Sequence, residues 1–179
     1  MFEIAFDDAR PQTVYLRLQT TSSSVLVLQR WRPEQFERST QREYLVLGLF
    51  IGLLFTAMAV NLHHARTDGD PLLRLYALHL AATVVFLIAA NGLVAQFLLP
   101  GLPAWADHWT SLGFIAVALT GTLLYRRALD IDQAGLPLRV LYGGVCVLAV
   151  AMLPAPIVGL YPEAARLLLP ALLLEIGRA

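Results

Sequence analysis

The chain has 179 residues, 58% of them hydrophobic and only 15% charged, and its 13 arginines balance 13 acidic side chains to a formal charge of zero. That much apolar surface exceeds what one soluble core of this size buries, and the neutral balance removes the bulk electrostatic case for nucleic acid. The composition therefore predicts an integral membrane protein, with the lipid bilayer as its first partner.

The N-terminal residues read as β-structure. Val14, Leu16 and Leu18 alternate with Tyr15, Arg17 and Gln19, a period of two that gives a strand one buried and one wet face. Thr20 to Ser24 is a polar turn signal, residues 24–29 form a second apolar, β-branched run, and Phe2 to Phe6 is a candidate third strand. So few strands do not make a stable sheet, so residues 1–30 are expected to be the remnant of a larger domain. Residues 31–44 switch to charged helix formers and are read as a connector.

From Leu45 onward, in residues 45–179, the pattern is that of a polytopic transmembrane domain, so the fold class is mainly α. Apolar runs at 45–62, 72–97, 109–125 and 138–160 are each long enough to cross about 30 Å of hydrocarbon at about 1.5 Å per residue. Residues 164–176 begin a fifth run that is too short to span. Arg66 and Arg74 lie between the first two runs, and Arg126, Arg127 and Arg139 between the third and fourth, whereas the connection between the second and third has no arginine. By the positive-inside rule the first and third connections are cytoplasmic and the segment before Tyr44 is extracytoplasmic, with Trp105 and Trp109 at the outer interface. The six arginines of residues 10–42 would then have to be exported, and residues 1–8 have neither a basic start nor an apolar core for a signal peptide. The expectation is a chain truncated at both ends.

Several polar or small residues in the runs are candidates for a role. Gly48 and Gly52 are a small-xxx-small pair, read as a surface for helix packing within the chain and, in second place, as a homodimer face. Asn61 and Asn91 are amides in or near the hydrocarbon, where an unpaired polar group is costly, so both are expected to form hydrogen bonds between helices. His79 is a turn from Tyr76 and is expected to pair with it or with a carbonyl of a neighbouring helix. His63 and His64 fall at the opposite side of the membrane from His108, which argues against a shared metal site, and the lone Cys146 has no disulfide partner in the chain. Arg126 and Arg127 are candidates for docking a cytoplasmic module, against the plainer reading of a solvated rim.

No HExxH, P-loop, CxxC or pair of aspartates within a run is present, and Ser111 is the only serine after the connector. An enzyme is therefore not expected, and no cofactor is implied. A small transporter, with Asn61, His79, Asn91, Thr120 and Thr122 along a path, or a free-standing membrane protein remains the alternative.

The string from Val14 to Thr20, its polar turn and the following strand, then Gly48 to Gly52, Ala59 to Leu62, Leu75-Tyr76 and Asn91-Gly92, resemble bacterial seven-transmembrane receptors with diverse intracellular signalling modules (7TMR-DISM). Val60 stands where such receptors have an aromatic residue before the asparagine. The resemblance implies an extracytoplasmic β-sandwich sensor taking carbohydrates or similar small molecules, three further helices, and an output domain such as a diguanylate cyclase, histidine kinase or phosphatase. It also gives Gly48, Gly52, Asn61, Tyr76, Asn91 and Gly92 as candidates for helix packing or signal transmission.

Overall fold

A computed structural model describes residues 33–98, 101, 103–133, 135–158 and 161–176. The strands expected before residue 31 lie outside the described residues. The chain divides into units Met1–Arg30 and Trp31–Ala179, and every described residue belongs to the second.

Helix α1 runs from Pro33 to Thr67, so connector and first apolar run are one helix. Its 35 residues reach about 50 Å, well beyond a hydrocarbon layer of about 30 Å. Proline at its start needs no backbone N–H, Glu34 complements the positive end of the helix dipole, and Arg66 the negative end. Only Asp68, Gly69 and Asp70 separate α1 from α2, Pro71–Ala90. This turn is sharply determined. Gly69 takes φ +69, the Asp70 carboxylate accepts from the Leu72 N–H at 2.8 Å as N-cap, and an Arg74 guanidinium nitrogen donates to the Gly69 carbonyl at 2.9 Å.

The second apolar run, expected to be continuous over 72–97, is broken. α2 stops at Ala90, Gly92 adopts φ +73, and its N–H closes onto the Ala89 carbonyl at 3.0 Å. This is a left-handed helix stop, which glycine takes without the steric penalty of a Cβ. The chain resumes as one π-helical turn, Val94–Leu98. Asn91 and Gly92 thus end the helix and do not lie within a span. Gly92→Ala is expected to cost about 1–2 kcal/mol locally, measured as faster amide exchange over residues 86–92 with the rest of the chain unchanged. Unaltered exchange would show that the stop does not need a left-handed residue.

α3 covers Pro103–Ala128 and contains the third run. A 3-10 turn, Ile131–Gln133, leads to α4, Leu136–Ala151. The fourth run is also broken: α4 ends after 16 residues, a turn follows at Met152–Pro154, and Ala155–Val158 forms a single further turn, α5. Pro154 and Pro156 lack the N–H groups that a continuing helix would need. Last comes α6, Tyr161–Ile176, with Pro170 inside it. Among the described residues, two helices are long and apolar enough to cross a membrane, α1 over Glu34–Thr67 and α2.

Packing follows chain order. α1 lies against α2, α2 against α3, α3 against α4, and α4 against α6. Ile115 and Ala118 of α3, Ala149 and Met152 beside the α4 stop, and Leu168 of α6 form the main apolar core. α1 contributes a stripe at Leu47, Ile51, Leu54, Met58, Asn61 and Ala65, with Ala65 buried and the rest half-buried, while its most apolar window is 0% buried. That helix therefore touches the bundle along one narrow side.

Candidate functional site

Two glycines of α3 bring it into close contact with α2. A Cβ on Gly113 would stand 2.9 Å from the Phe86 Cα, so α3 presses directly on the backbone of α2. One face further along, a Cβ on Gly121 would stand 3.3 Å from the His79 ring. Phe86 and His79 are seven residues apart, as are Gly113 and Thr120, so the two helices run antiparallel with contacts repeating every two turns. Phe86 also meets Phe114 with ring centroids 6.2 Å apart.

Beside Gly121 the His79 Nδ1 lies 3.0 Å from the Thr120 hydroxyl. The same hydroxyl lies 2.7 Å from the Ala116 carbonyl of its own helix, to which it donates. Thr120 and its neighbour Thr122 are buried, and His79 is half-buried. His79 thus pairs with a side chain of the neighbouring helix and with neither Tyr76 nor a backbone carbonyl. Tyr76 is exposed on α2.

The far end of the α1–α2 pair, away from the turn, carries a second polar contact. The Tyr44 hydroxyl, at the junction of connector and apolar run, donates to the Gln96 side-chain oxygen at 2.8 Å. Gln96 belongs to the π-helical turn just beyond the Asn91–Gly92 stop. A 52-residue separation in sequence is closed by this one bond, which ties α1 to the segment with the least regular backbone of the α2 region. Isolated π-turns recur where a helix serves function and regularity is given up.

The two asparagines behave differently from expectation. Asn61 donates to the Ala57 carbonyl at 2.7 Å and Asn91 to the Leu87 carbonyl at 2.8 Å, each four residues back in its own helix. Among the described residues neither forms the expected bond between helices, because a short amide bonds locally when a carbonyl one turn back is in reach. Gly48 and Gly52 also depart from the packing role within the chain: both are exposed, and a Cβ on either would meet nothing within 4 Å.

At the turn end of α2 there is a notch of about 580 Å³ lined by Asp70, Leu75, Arg126, Arg127, Asp130 and Asp132 among others. Arg126 does not face it as a free cation. Its Nε and Nη2 donate to one Asp132 oxygen at 3.0 and 2.6 Å. The hydrogen bond to Asp132, and then its charge, hold this guanidinium above its ordinary pKa. Arg127, next to it, is exposed and forms no ion pair among the described residues, so the two arginines offered as one docking pair have different states. Asp130, with φ +48, shapes the same rim.

The histidines occupy separate places. His63 and His64 sit edge to face at the end of α1, with His64 Nδ1 3.8 Å from Asp68, while His108 lies edge-on to Trp105 at 5.8 Å. The six candidates Gly48, Gly52, Asn61, Tyr76, Asn91 and Gly92 are not gathered into one site. The residues that do join helices, Tyr44 with Gln96, His79 with Thr120 and Phe86 with Gly113, were absent from that set.

The family described as 7TM diverse intracellular signalling matches residues 43–176. Neither a curated protein nor a solved structure matches the chain.

Proposed function

Because the chain belongs to the 7TM diverse intracellular signalling family, we propose that it is the membrane part of a bacterial sensory receptor, relaying the state of an extracytoplasmic domain to a cytoplasmic output module. The observation that carries this reading is the continuity of α1, which takes the charged connector and the apolar run through 35 residues without a break. A rod of that kind passes on a tilt, a rotation or an axial shift of its outer end, whereas a flexible linker would absorb it.

Each part of the rod has a role in this scheme. The input is an extracytoplasmic sensor domain that takes a carbohydrate or similar small molecule, and the bias of that domain between two arrangements is what α1 reports. Tyr44 and Gln96 set the register of α1 at the outer face. Below them, the turn Asp68–Asp70 couples α1 to α2, whose contact with α3 through His79 and Thr120 passes the shift to the rim at Arg127. The output is the work of a separate cyclase, kinase or phosphatase module, and this membrane part is not itself catalytic.

The transport alternative loses support from the partners of the polar side chains. Asn61 and Asn91 are satisfied by their own helices and His79 by Thr120, so these side chains are engaged in structure where a path would leave them for a solute.

Single-cysteine labelling in intact bacteria tests the orientation on which the proposal stands. In a Cys146→Ser background, Glu34→Cys is expected to react with a membrane-impermeant maleimide from outside, and Arg127→Cys only after permeabilisation. The reverse pattern would place the connector inside the cell and remove the sensory reading.

A further inference from the structure

The notch between the start of α2 and the end of α3 is built on two levels. In these antiparallel helices, the pairing that sets His79 against Thr120 and Phe86 against Gly113 puts Leu72 level with Arg127. Leu75 and Leu123 then lie beside each other about one turn, or about 5 Å, deeper. All three leucines line the notch and are half-buried, whereas Arg127, Asp130 and Asp132 at its mouth are exposed. Leu72 begins the second apolar run and Leu123 is near the end of the third, so the floor lies at the edge of the hydrocarbon and the mouth just beyond it. The polar layer of a bilayer is about 5–8 Å thick on each face, which is the same step. A cavity of about 580 Å³ is of the size that holds a small ligand group. Its two levels match a phospholipid, with the headgroup at the mouth and the first methylenes on the leucines.

Charge selects the headgroup. Two arginines and three aspartates line the notch. Arg126 and Asp132 hold each other, and an Asp70 carboxylate oxygen caps the Leu72 N–H. That leaves one group of each sign, Arg127 and Asp130, and neither forms an ion pair among the described residues. The end of α3 brings them together: the Asp130 N–H donates to the Arg127 carbonyl at 3.4 Å, and φ +48 at Asp130 turns the chain. An anionic headgroup would meet a lining with more carboxylates than guanidinium groups. A zwitterion offers a phosphate to Arg127, as the planar guanidinium favours, and a cation to Asp130. That cation must carry N–H donors, because a carboxylate accepts hydrogen bonds, and a quaternary ammonium is held by aromatic faces, which the described lining lacks. We propose that the notch seats the headgroup of phosphatidylethanolamine, its phosphate on Arg127 and its primary ammonium on Asp130, with the acyl chains leaving over Leu72, Leu75 and Leu123. The site needs only a chain lying in a bilayer. It depends neither on which face is cytoplasmic nor on what signal is relayed, so it and the sensory reading fail separately.

Native mass spectrometry of the full chain, delipidated in detergent and titrated with phosphatidylethanolamine, phosphatidylcholine or phosphatidylglycerol of identical acyl chains, is the test. The first phosphatidylethanolamine is expected to bind about tenfold more tightly than either of the others, the difference that one charge-assisted hydrogen bond makes. Asp130→Asn is expected to erase that preference, and asparagine tolerates the left-handed conformation as aspartate does, so the turn survives. Arg127→Gln is expected to weaken all three lipids by about tenfold. Arg66→Gln, at an exposed arginine outside the notch, is expected to leave lipid binding unchanged. Equal binding of the three lipids, binding of none, a preference that survives Asp130→Asn, or an effect of Arg66→Gln as large as that of Arg127→Gln would each overturn the proposal. Displacement of the lipid by free phosphoethanolamine at the same concentration would also overturn it, by making the notch a site for a soluble phosphoester.

Discussion

Gly113→Ala is expected to destabilise the helix bundle by about 1–3 kcal/mol, although alanine is the better helix former by about 1 kcal/mol. The added Cβ would sit 2.9 Å from the Phe86 Cα, a backbone atom that moves only if α2 itself moves away from α3. Gly113→Leu is expected to separate the pair altogether. Two internal controls make the comparison sharp. At Gly121 the nearest atom is the His79 ring at 3.3 Å, a side chain free to tilt, so alanine there is expected to be much milder. At Gly48, with nothing in reach within the chain, alanine is expected to leave the monomer unchanged or slightly more stable. Thermal unfolding in detergent, under conditions that hold the protein monomeric, ranks the three. Equal effects at Gly113 and Gly48 would mean that α2 and α3 do not meet as closely as described.

Thr40→Pro is expected to break the outer part of α1 while leaving the membrane part folded. Proline at this position removes the N–H that bonds four residues back and clashes with the Phe36 carbonyl, at a cost of about 3 kcal/mol. That corresponds to roughly a hundredfold in the local opening equilibrium. Hydrogen exchange of the full chain in lipid nanodiscs is expected to show residues 34–43 exchanging about a hundredfold faster, with 45–62 and α2 unaffected and Thr40→Ala behaving as the parent. On the proposed reading, the functional consequence is a membrane part that is folded and inserted but no longer relays the signal. If these amides already exchange freely in the parent, the connector is not a rod and the proposed mode of transmission falls with it.

How much of the fold was legible in the chain depends on what hydropathy measures. The switch from charged helix formers to an apolar run at Tyr44 is abrupt, so the first apolar run was legible while its continuity with the charged stretch in one helix was not, and membership of a membrane signalling family rested on short strings, most of which the family match over residues 43–176 covers. The break after Ala90 was not legible as a break. Asn91-Gly92 is a turn signal in water-soluble sequence, yet the residues on both sides are apolar enough to merge into one run of 72–97, and a positive φ leaves no trace in a hydropathy average. Pro154 and Pro156 lie where the fourth run, expected to continue to residue 160, breaks into α4 and α5.

The contacts between helices were hidden for a different reason. α2 is apolar on every side, so periodicity does not say which face meets α3, and His79 could be assigned a partner only once Thr120 was brought opposite it. The asparagines misled because desolvation cost says that an amide needs a partner and does not say on which helix. Gly48 and Gly52 were expected to pack within the chain, and among the described residues nothing lies within 4 Å of a Cβ placed on either.

The turn between α1 and α2 has a consequence for how the protein is made. Asp68, Gly69 and Asp70 are a connection too short to let one helix settle while the other is still awaited, and the Asp70 cap together with the Arg74 contact fixes it using residues within five positions of one another. During synthesis, therefore, the two described helices that are long and apolar enough to cross a membrane are expected to enter the bilayer together as a hairpin. An error in the placement of one is an error in both, and quality control acting on this pair has a single insertion event to judge.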